Sequence, residues 1–291
     1  MDILVVGALH HDVIVSAPRL PELDETLKGS SVAYALGGKG GNQALAAARH
    51  GAKTAFAGCI GDDESGRSMK AQLASGGVDV AGIATDHGLA SGMSVAIVTE
   101  NGDYGAVIVS GANEAIDASS ITIPQGLKWL ILQNEVLPEI NLSVASKAAK
   151  AGAKIILNAA PARHIEPELM ELVDVLIVNR VEAKALGESI FNNRCVVIET
   201  RGGDGAFICL LGAVPVHVPA FKMNVISTHG AGDCFVGALA GRLCAGETLE
   251  KAVIYASAAA ALHVSALPEN RAAVTPNDVF KLMESRHADG N

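Results

Sequence analysis

Short, continuous apolar runs alternate with helical patterns along most of this chain, and that alternation constrains the fold more than any other feature. The apolar runs lie at 3–7, 54–60, 129–133, 154–158, 175–178, 195–199 and 206–211. Helical patterns lie at 42–50, 66–75, 140–151, 167–173, 232–244, 249–264 and 277–285. Continuous apolar runs are typical of strands buried on both faces. The pattern therefore predicts an α/β protein with a doubly wound, mostly parallel sheet flanked by helices.

Two segments depart from this alternation. Segment 92–110 has two β-rich runs around Asn101-Gly102-Asp103, and Asn-Gly between such runs is a strong hairpin signal. Segment 13–33 is polar and irregular, with two prolines. We expect these two segments to form a small β lid. Because no repeat or linker divides the chain, one domain spanning residues 1–291 is expected.

Composition narrows the functional classes. Hydrophobic residues make up 49% and aromatic residues 3% of the chain, so the core must consist mainly of Ala, Val, Ile and Leu. A net charge of -9 without a basic stripe argues against nucleic-acid binding. No apolar stretch reaches the length of a membrane span, about 18 residues. Five scattered cysteines without CxxC spacing, and no basic segment before the first apolar run, predict reduced thiols and a cytoplasmic protein.

The most informative motif precedes the helical pattern at 232–244. Gly230-Ala231-Gly232 should leave free backbone N–H groups at a helix N-terminus, where the helix dipole favours an anion. Asp233 would lie in the first turn, close to that anion. A phosphoryl-transfer site needs such a cradle and an adjacent base for the nucleophile. The alternative is a Gly-rich helix start in which Asp233 only complements the dipole.

Three further segments are weaker signals when taken singly. Residues 37–43, GGKGGNQ, could present amides and Lys39 to a polyhydroxylated substrate, although their spacing is not that of a Walker A loop. Asn179 and Glu182 could share a helix face and hold Mg²⁺ through waters, or simply begin a helix. The turn at 200–205, TRGGDG, could border a nucleotide or be only a hairpin turn.

Taken together and in this order, these segments resemble the signatures of the ribokinase family, also called the PfkB carbohydrate kinases. The first signature is similar to GGKGGNQALAAARHG at 37–51, followed by GCIGDD at 58–63. The second is similar to THGAGDCF at 228–235, and Asn179-Arg-Val-Glu182 matches the magnesium-associated Asn-x-x-Glu of the family. The resemblance extends over roughly residues 2–285.

The resemblance implies transfer of the γ-phosphoryl group of ATP to a primary hydroxyl of a sugar or sugar-like substrate. It implies that Asp233 removes the hydroxyl proton and that the amides of Gly230, Ala231 and Gly232 form the anion hole. The substrate contacts that it implies are Asp12, Gly38, Lys39, Asn42 and Glu135. On the nucleotide side it implies Asn179, Thr200, Gly202, Gly205 and Ser257, with Glu182 at Mg²⁺. The lid would exclude water and serve as a homodimer interface.

Two residues depart from the family pattern. Ser227 replaces an Asp that helps coordinate a monovalent cation in potassium-activated ribokinases, so we expect little dependence on potassium. His10 replaces an Asn that contacts the sugar, so the identity of the sugar stays open. A nucleoside kinase of the same fold is the alternative within enzymes, and a non-catalytic nucleotide-binding relative is the alternative outside them. The presence of Asp233 favours an enzyme, and the few aromatic residues of the lid, Tyr34 and Tyr104, favour a sugar.

Overall fold

The computed structural model describes residues 1–99 and 104–288. Its strands are β1 Ile3–Val6, β2 His10–Ala17, β3 Ser31–Gly37, β4 Thr54–Gly61, β5 Asp79–Asp86, β6 Met93–Thr99, β7 Tyr104–Val109, β8 Trp129–Gln133, β9 Lys154–Asn158, β10 Val175–Asn179, β11 Val196–Thr200, β12 Ala206–Cys209 and β13 Val216–Val218. Its helices are α1 Lys39–Arg49, α2 Glu64–Ser75, α3 Pro138–Lys150, α4 Pro167–Met170, α5 Arg180–Leu186, α6 Ala231–Cys244, α7 Leu249–Ser265 and α8 Pro276–Ala288.

Nine strands form one large sheet in the order β13-β12-β11-β10-β9-β8-β1-β4-β5. The strands from β11 to β5 are parallel, and β12, next to one edge, pairs antiparallel with both β11 and β13. The chain winds outward from β1 in both directions, through β4 and β5 on one side and from β8 onward on the other. Ligands of such sheets bind beyond the carboxyl ends of the strands at the point where the winding reverses. Here that point lies between β1 and β8.

Helices cover both faces of this sheet. Along β1, Ile3 and Val5 join the core shared with α1, α2, α6 and α7. Leu4 and Val6 join the opposite core, shared with α3, α4 and α5. Successive residues of a strand point to opposite faces, so these side chains alternate between the two cores. All four are buried, because helices cover both faces. This arrangement explains why the central strands have continuous rather than alternating apolar patterns.

A second sheet of four strands, in the order β3-β2-β6-β7, stands apart from the large one. It contains the strands of the predicted hairpin, since β6 and β7 pair antiparallel. The turn predicted at Asn101-Gly102-Asp103 lies outside the described residues. The irregular part of segment 13–33 is the connection between β2 and β3, whose pairing brings Ser16 opposite Ser31.

Several local predictions need correction. The first helix begins at Lys39 rather than residue 42, so the predicted Gly-rich loop is partly helical. The helix expected at 167–173 ends at Met170, and the strands β5 and β13 were not predicted. The helix start considered at 179–182 is the beginning of α5. Strand β5 was missed because most of its residues are exposed, which leaves no continuous apolar run.

The five cysteines are free thiols, as expected. None of the helices in the described ranges is both long enough and apolar enough to cross a membrane.

Candidate active site

The N-terminus of α6 faces the carboxyl-end region of the sheet. Gly230 precedes the helix in a left-handed conformation, with φ 74°, which is accessible to glycine at little cost. Asp233 follows in the first turn and is buried. Burial raises the pKa of its carboxyl, and Lys39, Gln43, His229 and Asn42 oppose that rise. The carboxylate therefore lies in a desolvated position with cationic and hydrogen-bonding partners that favour its charged form.

A chain of buried amide groups orients this carboxylate. Gln43 Nε2 donates to Asp233 Oδ1 at 2.9 Å and to Asn158 Oδ1 at 3.0 Å. Asn158 Nδ2 donates in turn to the carbonyl oxygen of Ile177 at 3.3 Å. Gln133 Nε2 donates to Gln43 Oε1 at 2.8 Å. Because a backbone carbonyl can only accept, Ile177 fixes the direction of the chain and leaves Gln43 presenting N–H groups to Asp233.

A second buried carboxyl group lies at the N-terminus of α1. Glu135, just after β8, accepts a hydrogen bond of 2.7 Å from the backbone N–H of Lys39. The pKa of Glu135 is raised to about 7, mainly by burial and also by the charges of Asp233 and Asp12, while the hydrogen bond from Lys39 and its charge oppose the rise. Because the charges of Asp12, Asp233 and Lys39 all act on Glu135, the three carboxyl groups and this lysine form one cluster.

Asp12 contributes to this cluster from the small sheet. Its Oδ1 accepts a hydrogen bond of 2.6 Å from Ser94 Oγ on β6. Its Oδ2 lies 3.9 Å from Nε2 of the exposed His229, which belongs to the loop before α6. A Cβ atom at Gly37 would lie 2.1 Å from Asp12 Oδ1, so residue 37 must lack a side chain. Residues of the small sheet and of the large sheet therefore meet at this cluster.

His10, at the start of β2, is buried beside the same cluster. Burial lowers its pKa, the charge of Asp12 opposes that change, and the charge of Lys39 adds to it. Its Nε2 has no hydrogen-bond partner within the described residues. A buried ring nitrogen without a partner is costly in the unliganded protein. His11, by contrast, stacks on Tyr34 with ring centroids 5.5 Å apart, as expected of adjacent strand residues that point to opposite faces.

The Gly-rich segment at 37–41 is the entry into α1 rather than a flexible loop. Gly38 is the residue before the helix, with φ 85°, and a Cβ atom there would lie 2.5 Å from the carbonyl oxygen of Ala8. Gly40 and Gly41 lie within the first turn and are buried. The glycines thus allow α1 to approach the end of β1, which brings Lys39 and Asn42 to the carboxyl cluster.

A mostly apolar cavity of about 270 Å³ lies on the other side of the α6 N-terminus. Thr200, Gly202, Gly205 and Ser257, all predicted on the nucleotide side, line it. Ala231 and Gly232 line it as well, so the first turn of α6 borders this cavity. The N–H group of Ala231 donates to the carbonyl oxygen of Thr228 at 3.2 Å. Its other walls include apolar side chains of α7 and of the segment before α6: Phe221, Met223, Val225, Ala260 and Val264.

Asn179 and Glu182 form a capping box at the start of α5. The side chain of Asn179 accepts from the N–H groups of Val181 and Glu182, and Glu182 Oε2 accepts from the N–H group of Asn179 at 2.7 Å. Glu182 is buried, which raises the pKa of its carboxyl. The hydrogen bond from the Asn179 N–H group and the charge of Lys39 lower this pKa, and the charge of Asp233 raises it. Asn179 precedes the helix as its cap and Glu182 lies in its first turn, so these residues begin a helix, as one of the two interpretations of the sequence had it. Their side chains lie together, since Asn179 Nδ2 donates to Glu182 Oε1 at 2.9 Å. Neither residue lines the cavity.

Comparison with known proteins identifies the family. The model of the pfkB family of carbohydrate kinases matches residues 1–268. Ribokinase from Haemophilus influenzae is 32% identical over 96% of this chain and 97% of its own length. The chain belongs to the pfkB family of carbohydrate kinases. Ribokinase from Bacillus subtilis is 30% identical to this pfkB-family chain, over 97% of it and 99% of the relative.

The solved structure most relevant to the site of this pfkB-family kinase is Arabidopsis thaliana ribokinase complexed with ribose and ATP. It superimposes with a TM-score of 0.86 at 26% identity, and covers 97% of this chain and 98% of its own. The predictions of an α/β fold with a doubly wound sheet, and of an ATP-dependent sugar kinase, are confirmed.

Four polar residues of this carbohydrate kinase site were not predicted: Gln43, Gln133, Asn158 and Ser94. Gln43 lies within the first signature, but on a helix pattern it looks like any polar position. The other three lie in or next to strands, where a buried polar residue in an apolar run is the available signal. A polar residue in such a run must have a hydrogen-bond partner, but the sequence does not show which residue that partner is.

Proposed function

We propose that this carbohydrate kinase phosphorylates a primary hydroxyl of a pentose such as ribose or deoxyribose, with Asp233 as the base. The observation that carries this proposal is the position of the α6 N-terminus. Ala231 and Gly232 line the apolar cavity on one side, while Asp233 belongs to the carboxyl cluster on the other. A phosphoryl donor and a hydroxyl acceptor placed on these two sides would meet at residues 230–233.

The acceptor is assigned to the carboxyl cluster. Asp12 and Glu135 would accept hydrogen bonds from sugar hydroxyls, and Lys39, Asn42 and the backbone at Gly38 would complete the contacts. Relatives named ribokinase and a Salmonella typhi relative named deoxyribokinase, 30% identical over 82% of this chain, support a pentose. Charged hydrogen-bonding groups with few aromatic residues suit a sugar better than a nucleoside base.

The nucleotide is assigned to the cavity. Its apolar walls suit an adenine ring, and Thr200, Gly202, Gly205 and Ser257 would border the nucleoside. Asn179 and Glu182 would lie toward the phosphates. Each carboxylate oxygen of Glu182 accepts one hydrogen bond and retains capacity for another, which fits an outer contact to Mg²⁺ through water. Bound Mg²⁺ would supply neutralisation of the triphosphate charge.

The proposed chemistry needs one proton transfer in the protein. Asp233, ionised and held by Gln43, would take the proton of the acceptor hydroxyl as that oxygen attacks the γ-phosphorus of ATP. The bond from the γ-phosphorus to the bridging oxygen would break, and ADP would leave. The amides of Gly230, Ala231 and Gly232 would stabilise the charge that develops on the transferred group. Positioning and electrostatic stabilisation account for most catalysis of this kind.

We further propose that residues 1–291 act as one domain, with the four-stranded sheet as a lid and a homodimer interface. Asp12 and Ser94 on this sheet already contact each other at the acceptor cluster. Edge strand β7 exposes Val107, Ile108 and Val109, each about 60% exposed or more. An exposed apolar edge strand is a ready surface for a second copy of the chain.

The test is an ADP-release screen with Mg²⁺ and ATP over pentoses, ketohexoses, sugar acids and nucleosides. Asp233→Asn, which removes the base and keeps the shape, serves as the catalytic blank. We expect the highest kcat/KM with a pentose and a loss of kcat of roughly two to four orders of magnitude in the variant. Preference for a nucleoside, or near-wild-type turnover by a folded Asp233→Asn protein, would contradict the proposal.

A further inference from the structure

An arginine side chain holds the backbone that leads into α6. Arg271 lies in the 3₁₀ turn Pro268–Ala273, after α7. It donates through Nη2 to the carbonyl oxygen of Ser227 at 2.9 Å, through Nη1 to that of His229 at 3.0 Å, and through Nε to that of His263 at 3.1 Å. His229 directly precedes Gly230. One guanidinium group therefore gathers carbonyl oxygens from the α6 entry and from the end of α7.

Among residues 1–99 and 104–288, no acidic side chain forms an ion pair with Arg271. The group is partly buried, and partial burial of a charge is costly unless hydrogen bonds compensate. Within the same residues, that compensation comes from the three main-chain carbonyl oxygens. Carbonyl oxygens that converge on one positive centre are the ligands that proteins use to replace the hydration shell of a potassium ion.

We infer that the Arg271 guanidinium group takes the place of a monovalent cation and holds the entry to the anion hole in its working geometry. Arg271 touches no reacting atom in this scheme, so it is a positioning residue. The inference rests on the proposed role of Gly230, Ala231 and Gly232.

The local charges agree with this substitution. A potassium ion would need the lone pairs that Ser227 and His229 already offer to Arg271, and it would be repelled by the guanidinium charge. Residue 227 supplies a neutral hydroxyl, whose Oγ accepts from the N–H group of His229 at 3.4 Å. A carboxylate at residue 227 would instead attract a positive group, either a potassium ion or the guanidinium group of Arg271.

His263 does not duplicate this charge. Its Nε2 contacts the carbonyl oxygen of His229 at 2.9 Å. Burial lowers the pKa of His263, and the nearby Arg271 lowers it further. The imidazole is therefore a neutral donor at neutral pH. Arg49 also acts on His263, but the guanidinium group that bonds to the carbonyl oxygens of Ser227 and His229 is that of Arg271.

The experiment compares wild type, Arg271→Ala and Arg271→Ala/Ser227→Asp in a buffer that contains an organic cation and no potassium or sodium. Turnover is measured at saturating Mg²⁺, ATP and sugar, and potassium is then added. We expect wild-type kcat to be nearly insensitive to potassium. We expect Arg271→Ala to lose at least about tenfold in kcat, and potassium to restore much of that loss, most fully in the double variant, whose added carboxylate can bind the ion.

Arg67→Ala is the control. Arg67 lies on α2 and forms an exposed ion pair with Asp62. The variant should change neither kcat nor the potassium response. Thermal unfolding checks that each variant is folded. If Arg271→Ala fails to fold, Arg271→Gln takes its place. A glutamine keeps a hydrogen-bond donor for the carbonyl oxygens but has no charge to repel the ion, so its potassium-free kcat should also fall and be raised by potassium.

Three results would overturn the inference. The first is potassium activation of the wild type by tenfold or more, which is about 1.4 kcal/mol. The second is a folded Arg271→Ala protein that keeps wild-type turnover without potassium. The inference also fails if Arg271→Ala loses turnover and potassium raises it neither in this variant nor in Arg271→Ala/Ser227→Asp. Wild-type sugar turnover and its loss in Asp233→Asn are measured in the same assay, so failure of the kinase assignment would be seen separately.

Discussion

Gln43 Nε2 lies 2.9 Å from Oδ1 of Asp233 and donates a hydrogen bond to it. The orientation of the Gln43 amide is fixed by its other two partners, because Asn158 must accept from it and Gln133 must donate to it. The N–H group therefore faces the carboxylate at all times. A donor in that position favours the ionised form of Asp233 and opposes the effect of burial on its pKa.

Gln43→Leu should shift the acid limb of the kcat/KM profile to higher pH. Without the donor, the pKa of Asp233 rises further, so the base is protonated over more of the acidic range and turnover is lost there. A hydrogen bond to a charged group contributes about 1.5–3 kcal/mol, which corresponds to roughly one to two pH units. Gln72→Leu, on the exposed face of α2, should leave the profile unchanged. An unshifted limb in a folded Gln43→Leu protein would show that Gln43 does not act on Asp233.

Glu135 should make acceptor binding sensitive to pH. Its pKa is raised to about 7 by burial, so the carboxyl becomes protonated as pH falls through neutrality and then accepts fewer hydrogen bonds from sugar hydroxyls. The acceptor KM should rise by about tenfold for each pH unit below that pKa. The KM for ATP should stay constant.

Glu135→Gln provides the comparison for this pH effect. The variant lacks the carboxylate, so its acceptor KM should be higher than that of wild type at alkaline pH. Because the amide does not titrate, the acceptor KM of the variant should not rise as the pH falls. Measuring KM rather than kcat separates Glu135 from Asp233, whose protonation in the ternary complex is reported by kcat. An acid rise of equal size in Glu135→Gln would assign the titration to another group.

Gly232→Ala should separate stability from activity. A Cβ atom at this position meets no heavy atom within 4 Å, and the residue is helical, so the melting temperature should not fall below that of wild type. The methyl group would project where the first turn of α6 opens into the nucleotide cavity. We expect the KM for ATP to rise by about tenfold, the scale of one charge-assisted hydrogen bond. A normal KM for ATP would argue against phosphate binding at this turn.

Val107→Lys should weaken the proposed dimer. Val107 is 68% exposed on the edge strand β7, and a lysine on an edge strand disfavours pairing with another chain. Sedimentation should show a lower mass for the variant than for wild type. Val214→Lys is the matched control, since Val214 is 87% exposed and lies between β12 and β13. A monomeric wild type, or an unchanged mass for Val107→Lys, would remove β7 from the interface.

Much of the fold could be predicted because its central strands are buried on both faces. Strands β8, β9 and β10 appear in the sequence as uninterrupted apolar runs, and the helices between them follow from spacing alone. Strand β5 could not be predicted in this way, since it lies at the sheet edge and has one buried residue, Ile83, within its length. A continuous apolar run therefore identifies a strand only where both of its faces are buried.

The candidate site was predicted in part. The two Gly-rich motifs predicted helix starts, and in the structure they contain the N-termini of α1 and α6, next to the carboxyl cluster. Their glycines also have a packing role that no motif states. A Cβ atom at Gly237 would lie 2.5 Å from Ala46 Cβ and 2.6 Å from the carbonyl oxygen of Gln43, so Gly237 lets α1 approach α6. That approach brings Gln43 to Asp233.

The sequence by itself determined the alternation of strands and helices, the Gly-rich helix starts and the presence of Asp233 in the first turn of α6. These features depend on residues that are close together in the chain. Only the tertiary structure decided the partners of that carboxylate and of the loop before it. Gln43 and Asp233 are 190 positions apart, and Arg271 and Ser227 are 44 apart. Hydrogen bonds over such separations depend on how helices pack on the sheet, and no local pattern records that packing.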